Sequence, residues 1–171
     1  MTAAEILLVL VVAQRAAELL LSSHNTRRLK ERGAIEISAR HYPVMVAVHA
    51  SWLISLFVLG HDRPLNMFAL AVYLALQGFR FWVMRTLGAR WTTRIIVLPG
   101  APLVSAGPYR YLSHPNYAVV AGEVATLPLV LGLAWLAVVF TVLNAAVLFI
   151  RIRAENRALQ SAPAATSPAA P

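Results

Sequence analysis

Between two long apolar stretches the chain carries Gly107-Pro108-Tyr109-Arg110-Tyr111-Leu112-Ser113-His114-Pro115-Asn116-Tyr117, where glycine, proline, aromatics, histidine and arginine crowd together without a hydrophobic stripe. A second polar group, Arg151-Ile152-Arg153-Ala154-Glu155-Asn156, follows the last apolar stretch. Lipid cannot satisfy irregular backbone, so a turn-rich polar segment between apolar helices must sit at an interface or line a cavity. His114 and Tyr117 are three apart and Arg151 and Glu155 four apart, spacings that put each pair on one helical face. An imidazole, a phenol, a guanidinium and a carboxylate, open to water and flanked by lipid, suit a polar cofactor reacting with a lipidic substrate.

The composition places these residues in a membrane. Of 171 residues 59% are hydrophobic and 13% charged, and the mean hydropathy is +0.66. A soluble domain carries roughly 45–50% apolar and about 25% charged residues. The absence of cysteine excludes a disulfide framework, a thiolate nucleophile and any Cys-based metal site, and no metal is assigned. The net charge of +8 follows from membrane topology, and no nucleic-acid partner is needed to account for it.

Five apolar helices are expected to position the polar groups. Ile6 to Leu21 is apolar apart from Gln14, Arg15 and Glu18 and, with the residues before it, approaches the ~20 residues of a spanning helix. No basic residue precedes it and no small-residue cleavage site follows, so a signal peptide is not expected. Ser22 to Tyr42 reads as a polar, basic loop. Pro43 opens a second helix over Val44 to Gly60, and His61-Asp62-Arg63-Pro64 is a turn. A third helix runs from about Leu65 to Arg85. Gly88 to Leu112 reads as an interfacial loop, with the β-branched Ile95-Ile96-Val97 as a short strand or an amphipathic turn. Pro115 starts the fourth helix with His114 as its cap, and the fifth runs from Ala134 to about Leu159; both are short for full spans, so a hairpin that dips and returns is the alternative to two crossings. Residues 1–160 form one domain, and 161–171, made of Ala, Pro, Ser and Thr, read as a disordered tail.

The arginines set the topology. Thirteen of the fifteen Lys and Arg residues fall in Ser22–Pro43, Phe79–Tyr117 and the C-terminal end of the fifth helix. Five spans with the N-terminus outside put all thirteen on one side, which the positive-inside rule makes the cytoplasm. The fold class is therefore an all-α integral membrane protein of about five transmembrane helices in the inner or plasma membrane. A cytoplasmic-side pocket is formed by the loop before helix four and the end of helix five, and the C-terminus is cytoplasmic.

Gly-Pro-Tyr-Arg-Tyr…His-Pro-Asn-Tyr, followed after a helical hairpin by Arg-x-x-x-Glu, resembles the isoprenylcysteine carboxyl methyltransferase family, most strongly from about Leu87 to Leu159. The front of the chain resembles one bacterial branch through Arg15-x-x-Glu18, Asn25, Gly33-Ala34-x-Glu36 and His41-Tyr42-Pro43-x-Met45-Val46-x-x-His49. The resemblance implies a membrane methyltransferase using S-adenosylmethionine. For the branch it implies a partnership with type III polyketide synthases and alkylpyrone or alkylresorcinol lipids as acceptors. It puts His114, Pro115 and Tyr117 in the wall of the cofactor pocket, with Gly107 and Pro108 shaping the approach. Arg151 corresponds to the arginine that orients the acceptor oxygen, and Glu155 to the first carboxylate of a Glu-Glu pair that meets the cofactor. The second carboxylate is replaced here by Asn156, which puts the prenylcysteine substrate in doubt.

Methyl transfer from a sulfonium is an in-line displacement, so positioning dominates. A carboxylate or acidic enol is already an anion and needs no base, whereas a phenol benefits from one; His41 and His49 are the candidates, and with Trp91 they are assigned to the acceptor. Each residue also has a plainer reading, under which the chain is a non-catalytic membrane scaffold or small transporter. His114-Pro115 reads as a helix cap, Trp91 and Tyr111 as interfacial anchors, Arg153 and Arg157 as topology charges, and His49 as an interhelical hydrogen bond. Arg15, Glu18 and Glu123 read as buried polar bridges, because charge within a span implies pairing or a cavity.

Overall fold

The computed structural model describes residues 1–37 and 42–161, with side chains through 157. Among the described residues five α-helices run in chain order: α1 (Ala3–Glu31), α2 (Tyr42–Gly60), α3 (Met67–Leu87), α4 (Pro115–Val130) and α5 (Ala134–Ser161). Two short strands, β1 (Ile35–Ile37) and β2 (Ile95–Val97), pair antiparallel with Glu36 opposite Ile96. Four helices, α1, α2, α3 and α5, are long and apolar enough to cross a membrane. The fifth expected span, α4, has 16 residues, about 24 Å of helix, short of the ~30 Å hydrocarbon core. It packs between α3 and α5. A Cβ on Gly122 would meet Leu76 at 2.9 Å, so α3 and α4 approach as closely as a bare glycine allows. The outward faces carry exposed Leu20, Val58, Phe68, Phe81 and Val142, as lipid contact requires. The protein is an integral membrane protein.

The first part of the expected loop from Ser22 to Tyr42, through Glu31, is helix. α1 continues to Glu31 because no Gly or Pro interrupts the chain before Gly33 and Arg27–Glu31 are good helix formers. Its buried residues Ser22, Asn25, Thr26 and Leu29 follow the i, i+3, i+4, i+7 pattern of an amphipathic face. Thr2 caps α1: its hydroxyl accepts from the Glu5 N–H while the Glu5 carboxylate accepts from the Thr2 N–H, two orphan donors satisfied reciprocally. Ala34-Ile35-Glu36-Ile37 supplies the partner that the β-branched run Ile95–Val97 lacked in the sequence. The expectation for the 161–171 tail lies outside the described residues from 162 on.

Leu8, Leu56, Leu127, Val130 and Leu131 are fully buried where α1, α2, α4 and the α4–α5 turn meet. Nearer the middle of the bundle lies a charge cluster. Arg15 donates to Glu18 at 2.7 Å and to Glu123 at 2.8 Å. Arg80 donates through Nε to Glu123 at 2.7 Å, through Nη2 to the same carboxylate, and through Nη1 to Glu18 at 3.3 Å. Gln77 donates to Glu123 at 2.8 Å, and Gln14 to Glu18 at 2.9 Å and to Gln77 at 2.7 Å. Two arginines and two glutamates cancel, which is what makes charge tolerable at this depth. The pairing expected for Arg15, Glu18 and Glu123 is present. Arg80, expected among the cytoplasmic charges, is instead a buried member of this cluster.

Candidate functional site

The segment before α4 is shaped by its backbone. Gly107 has φ +55, and a Cβ there would meet Thr86 Oγ1 at 2.5 Å. Only glycine lets the Gly107–Arg110 3-10 turn lie this close to α3. Pro108 is buried beneath it. Burial and the nearby Glu155 carboxylate push the Tyr109 phenol up to about 12. His114 takes the N-cap position with Pro115 as the first helical residue, yet its side chain makes no capping bond. The imidazole turns toward α5 instead.

There it meets the second polar group. His114 Nε2 lies 3.2 Å from Asn156 Oδ1, and Nδ1 lies 3.8 Å from Glu155 Oε2. The His114 and Tyr117 rings stack with centroids 5.4 Å apart. Tyr117 donates its hydroxyl to Glu155 at 2.6 Å, a charge-assisted bond. Arg151, one helical turn before Glu155, has its guanidinium 5.6 Å from the Tyr117 ring centroid and donates through Nη2 to the Thr93 carbonyl at 2.9 Å. It is 5% exposed, its Nε has no partner, and it forms no ion pair among the described residues. A buried guanidinium without a carboxylate is costly, so its position asks for an oxygen from elsewhere.

Two cavities adjoin these side chains. One, of about 470 Å³, is bordered by Arg90, Arg94, Tyr109, His114 and Glu155 and by the β2 segment. The other, of about 230 Å³, is walled by Met45, Val46, Trp52, Leu53, Val120 and Leu148, with His49 and Trp91 on it and the charge cluster at one side. Asn116, Tyr117 and Arg151 border both and are the wall in common. Asn116 Oδ1 is buried there without a partner. The larger compartment, the more polar of the two with its charged groups set among Leu29, Leu87 and the β2 residues, thus meets a largely apolar one across a phenol, an amide and a guanidinium.

The sequence-derived candidates distribute unevenly over this geometry. His114, Tyr117, Arg151 and Glu155, which come from two segments 38 residues apart at Tyr117 and Glu155, border the polar cavity. His49 and Trp91 border the apolar one. Gly107, Pro108 and Pro115 border neither; they fix the turn and the start of α4. His41 lies outside the described residues. Trp91 is 1% exposed and its carbonyl accepts from Asn25 at 2.8 Å, so it is a buried wall residue and not a lipid-facing anchor. Tyr111, 73% exposed, has the exposure of an interfacial aromatic. Sequence reading passed over Asn116, Thr93 and Arg94. Asn116 had a signal, since it is the polar residue between His114 and Tyr117. Thr93 had none: it works through its carbonyl and through a hydroxyl 2.9 Å from Ser22 Oγ.

A sequence model of the isoprenylcysteine carboxyl methyltransferase family matches residues 69–161, from the first turns of α3 to the end of α5. The chain belongs to that family. The matched residues supply the polar cavity almost entirely, while α1 and α2, with His49, lie outside them. A protein of Bacillus subtilis strain 168, the uncharacterized YpbQ, is 39% identical over 160 residues, covering 91% of this chain and 95% of its own length. An uncharacterized protein of Haemophilus influenzae is 23% identical over 155 residues, 87% of this chain and 90% of its own. No solved structure matches the chain. Membership of the family makes this protein a membrane methyltransferase.

Proposed function

We propose that the protein transfers a methyl group from S-adenosylmethionine to an oxygen of a lipophilic acceptor, with the cofactor in the polar cavity and the acceptor in the apolar one. The observation that carries this reading is the common wall: Arg151, Tyr117 and Asn116 face both compartments. The polar cavity fits the cofactor by chemistry and size. Its 470 Å³ lies within the roughly 300–1,000 Å³ of small-molecule sites. Glu155 offers a carboxylate to the cofactor's cationic groups, Asn116 Oδ1 an unused acceptor for an N–H, and Arg90 and Arg94 cations for its carboxylate. Bound there, the cofactor supplies an electrophilic methyl on sulfur. Arg151 holds the acceptor oxygen; its planar fork suits an oxygen bearing negative charge. His114 and Tyr117 stack into a wall that keeps Glu155 oriented, and the apolar lining keeps water from the transfer.

The acceptor we favour is an alkylpyrone or alkylresorcinol lipid, delivered by a polyketide synthase. A lipid carboxylate such as a prenylcysteine would use the same Arg151 contact. The polar cavity lies at the end of the bundle where the basic residues gather, so we assign that end, with the C-terminus, to the cytoplasm.

Calorimetry of S-adenosylmethionine binding to detergent-purified protein tests the reading, with Glu155→Ala alongside. Binding by the wild type that weakens at least about tenfold, roughly 1.4 kcal/mol, in the variant is expected. A folded wild type that binds no cofactor even with a lipid acceptor present would refute it.

A further inference from the structure

One titratable side chain in the apolar cavity is left without work by that reading. His49 sits on α2 and borders the cavity shared by Arg151 and Tyr117. Its Nδ1 lies 2.9 Å from the Met45 carbonyl oxygen. A carbonyl only accepts, so in the neutral ring Nδ1 carries the proton and the lone pair belongs to Nε2. The Trp52 ring stands edge-on at 6.5 Å and holds the imidazole's plane. Among the described residues Nε2 has no hydrogen-bond partner.

The other charges around the cavity are already spoken for. Arg15 and Glu18 from α1, Arg80 from α3 and Glu123 from α4 neutralise one another. Tyr117 on α4 spends its hydroxyl on Glu155, and Tyr42 at the start of α2 places its own 3.2 Å from Thr93 Oγ1. Arg151 on α5 is a cation with no carboxylate. The cavity thus offers an incoming molecule one fixed cation and one free proton acceptor, on different helices.

We propose that His49 is the general base for an acceptor whose hydroxyl is neutral at pH 7, and that it makes a lipid phenol, rather than an ionised lipid carboxylate, the preferred substrate class. The inference rests on the methyltransferase reading above and sharpens it, because an ionised carboxylate has no proton for His49 to take. In the step, the hydroxyl oxygen bonds to the methyl carbon as that carbon's bond to sulfur breaks. The sulfur keeps the bonding pair and loses its positive charge. The hydroxyl proton passes to Nε2, giving an imidazolium that returns it to water after product leaves. Arg151 carries the negative charge that builds on oxygen meanwhile. General base catalysis of this kind is worth roughly 10²–10⁴-fold.

The test compares detergent-purified wild type and His49→Gln on two acceptors, a long-chain 5-alkylresorcinol and a fatty acid of matched length, with labelled S-adenosylmethionine and cofactor affinity measured in parallel. The ratio of resorcinol to carboxylate methylation should fall at least about a hundredfold in the variant while cofactor affinity is unchanged. The wild-type rate on resorcinol should rise with pH and level off as the imidazole becomes neutral; the variant's should keep rising with free phenolate. Equal losses on both acceptors, or a wild-type profile that simply tracks phenolate, would overturn the role of His49. The wild-type profile decides the matter even if the variant does not fold. A wild type that binds cofactor but methylates only the fatty acid would overturn the substrate class and leave the methyltransferase reading standing. One that neither binds nor transfers would overturn both.

Discussion

Replacing Glu123 by glutamine removes one negative charge from the middle of the bundle and keeps the side chain's shape. Glu123 is 2% exposed. Its carboxylate serves Arg15 through one contact, Arg80 through two and Gln77 through one. In Glu123→Gln the cluster passes from neutral to a net positive charge, with two guanidiniums left to share Glu18. Removing one partner of a buried pair costs about 3–5 kcal/mol. At about 2–4 °C per kcal/mol for a chain of this size, thermal unfolding in detergent should shift down by about 6 °C or more. The cause is separable from lost packing by a second substitution. Arg80→Gln in the Glu123→Gln background restores neutrality and leaves Arg15 and Glu18 paired at 2.7 Å. The double variant should therefore be more stable than the sum of the singles predicts, with a coupling of about 1–3 kcal/mol. Strict additivity, or a Glu123→Gln protein within about 0.5 kcal/mol of the wild type, would refute the claim that charge balance holds α1, α3 and α4 together.

Four further outcomes are expected. Arg151→Ala should cut methyl transfer at least about a hundredfold with cofactor affinity nearly unchanged, as rates beside calorimetry would show. Tyr117→Phe removes the hydroxyl that holds Glu155 and should weaken cofactor binding about tenfold, since a bond to a charged group is worth about 1.5–3 kcal/mol. Gly107→Ala should lower the thermal midpoint by several degrees, because a Cβ must displace Thr86 and adopt a left-handed backbone. Lys30, and Arg94 with it, hold the Glu36 carboxyl below its ordinary value of 4.5. The stability this adds is present above pH 4.5 and is lost as pH falls through the lowered value. The advantage of wild type over Glu36→Gln in a thermal scan should thus be level at pH 6–7 and close on acidification.

The helices were legible because lipid makes their signal simple: long apolar runs bounded by Pro43, Pro64 and Gly132. The pairing of His114 and Tyr117 with Arg151 and Glu155 was legible because a hairpin of two helices must bring its two open ends together. What misled was composition. Ser22–Glu31 is polar, and polar composition suggests a loop, although its buried face keeps helical spacing. In the sequence Arg80 falls with the loop arginines because a charge near a helix end looks cytoplasmic; only its neighbours on α1 and α4 show that it points inward. β1 could not be read alone, since a three-residue strand exists through its partner. The apolar cavity was equally hidden. It is a gap between α1, α2, α4 and α5, and no single segment encodes a gap.

The buried charges divide into two kinds, and the division bears on function. Arg15, Glu18, Arg80 and Glu123 are mutually satisfied, so their free energy is settled within the fold. Arg151 is not: it has a carbonyl on one nitrogen, a ring face beside it and nothing on Nε. Folding alone would be served better by a Leu or Met at that position, against the apolar lining. The cost of an unpaired guanidinium persists only where something else repays it, and under the proposed function an anionic oxygen arriving in the transition state would do so at the moment that lowers the barrier. The neutral cluster beside it makes this selective. Because its four charges cancel, the apolar cavity presents one net charge, that of Arg151, at the wall the two cavities share.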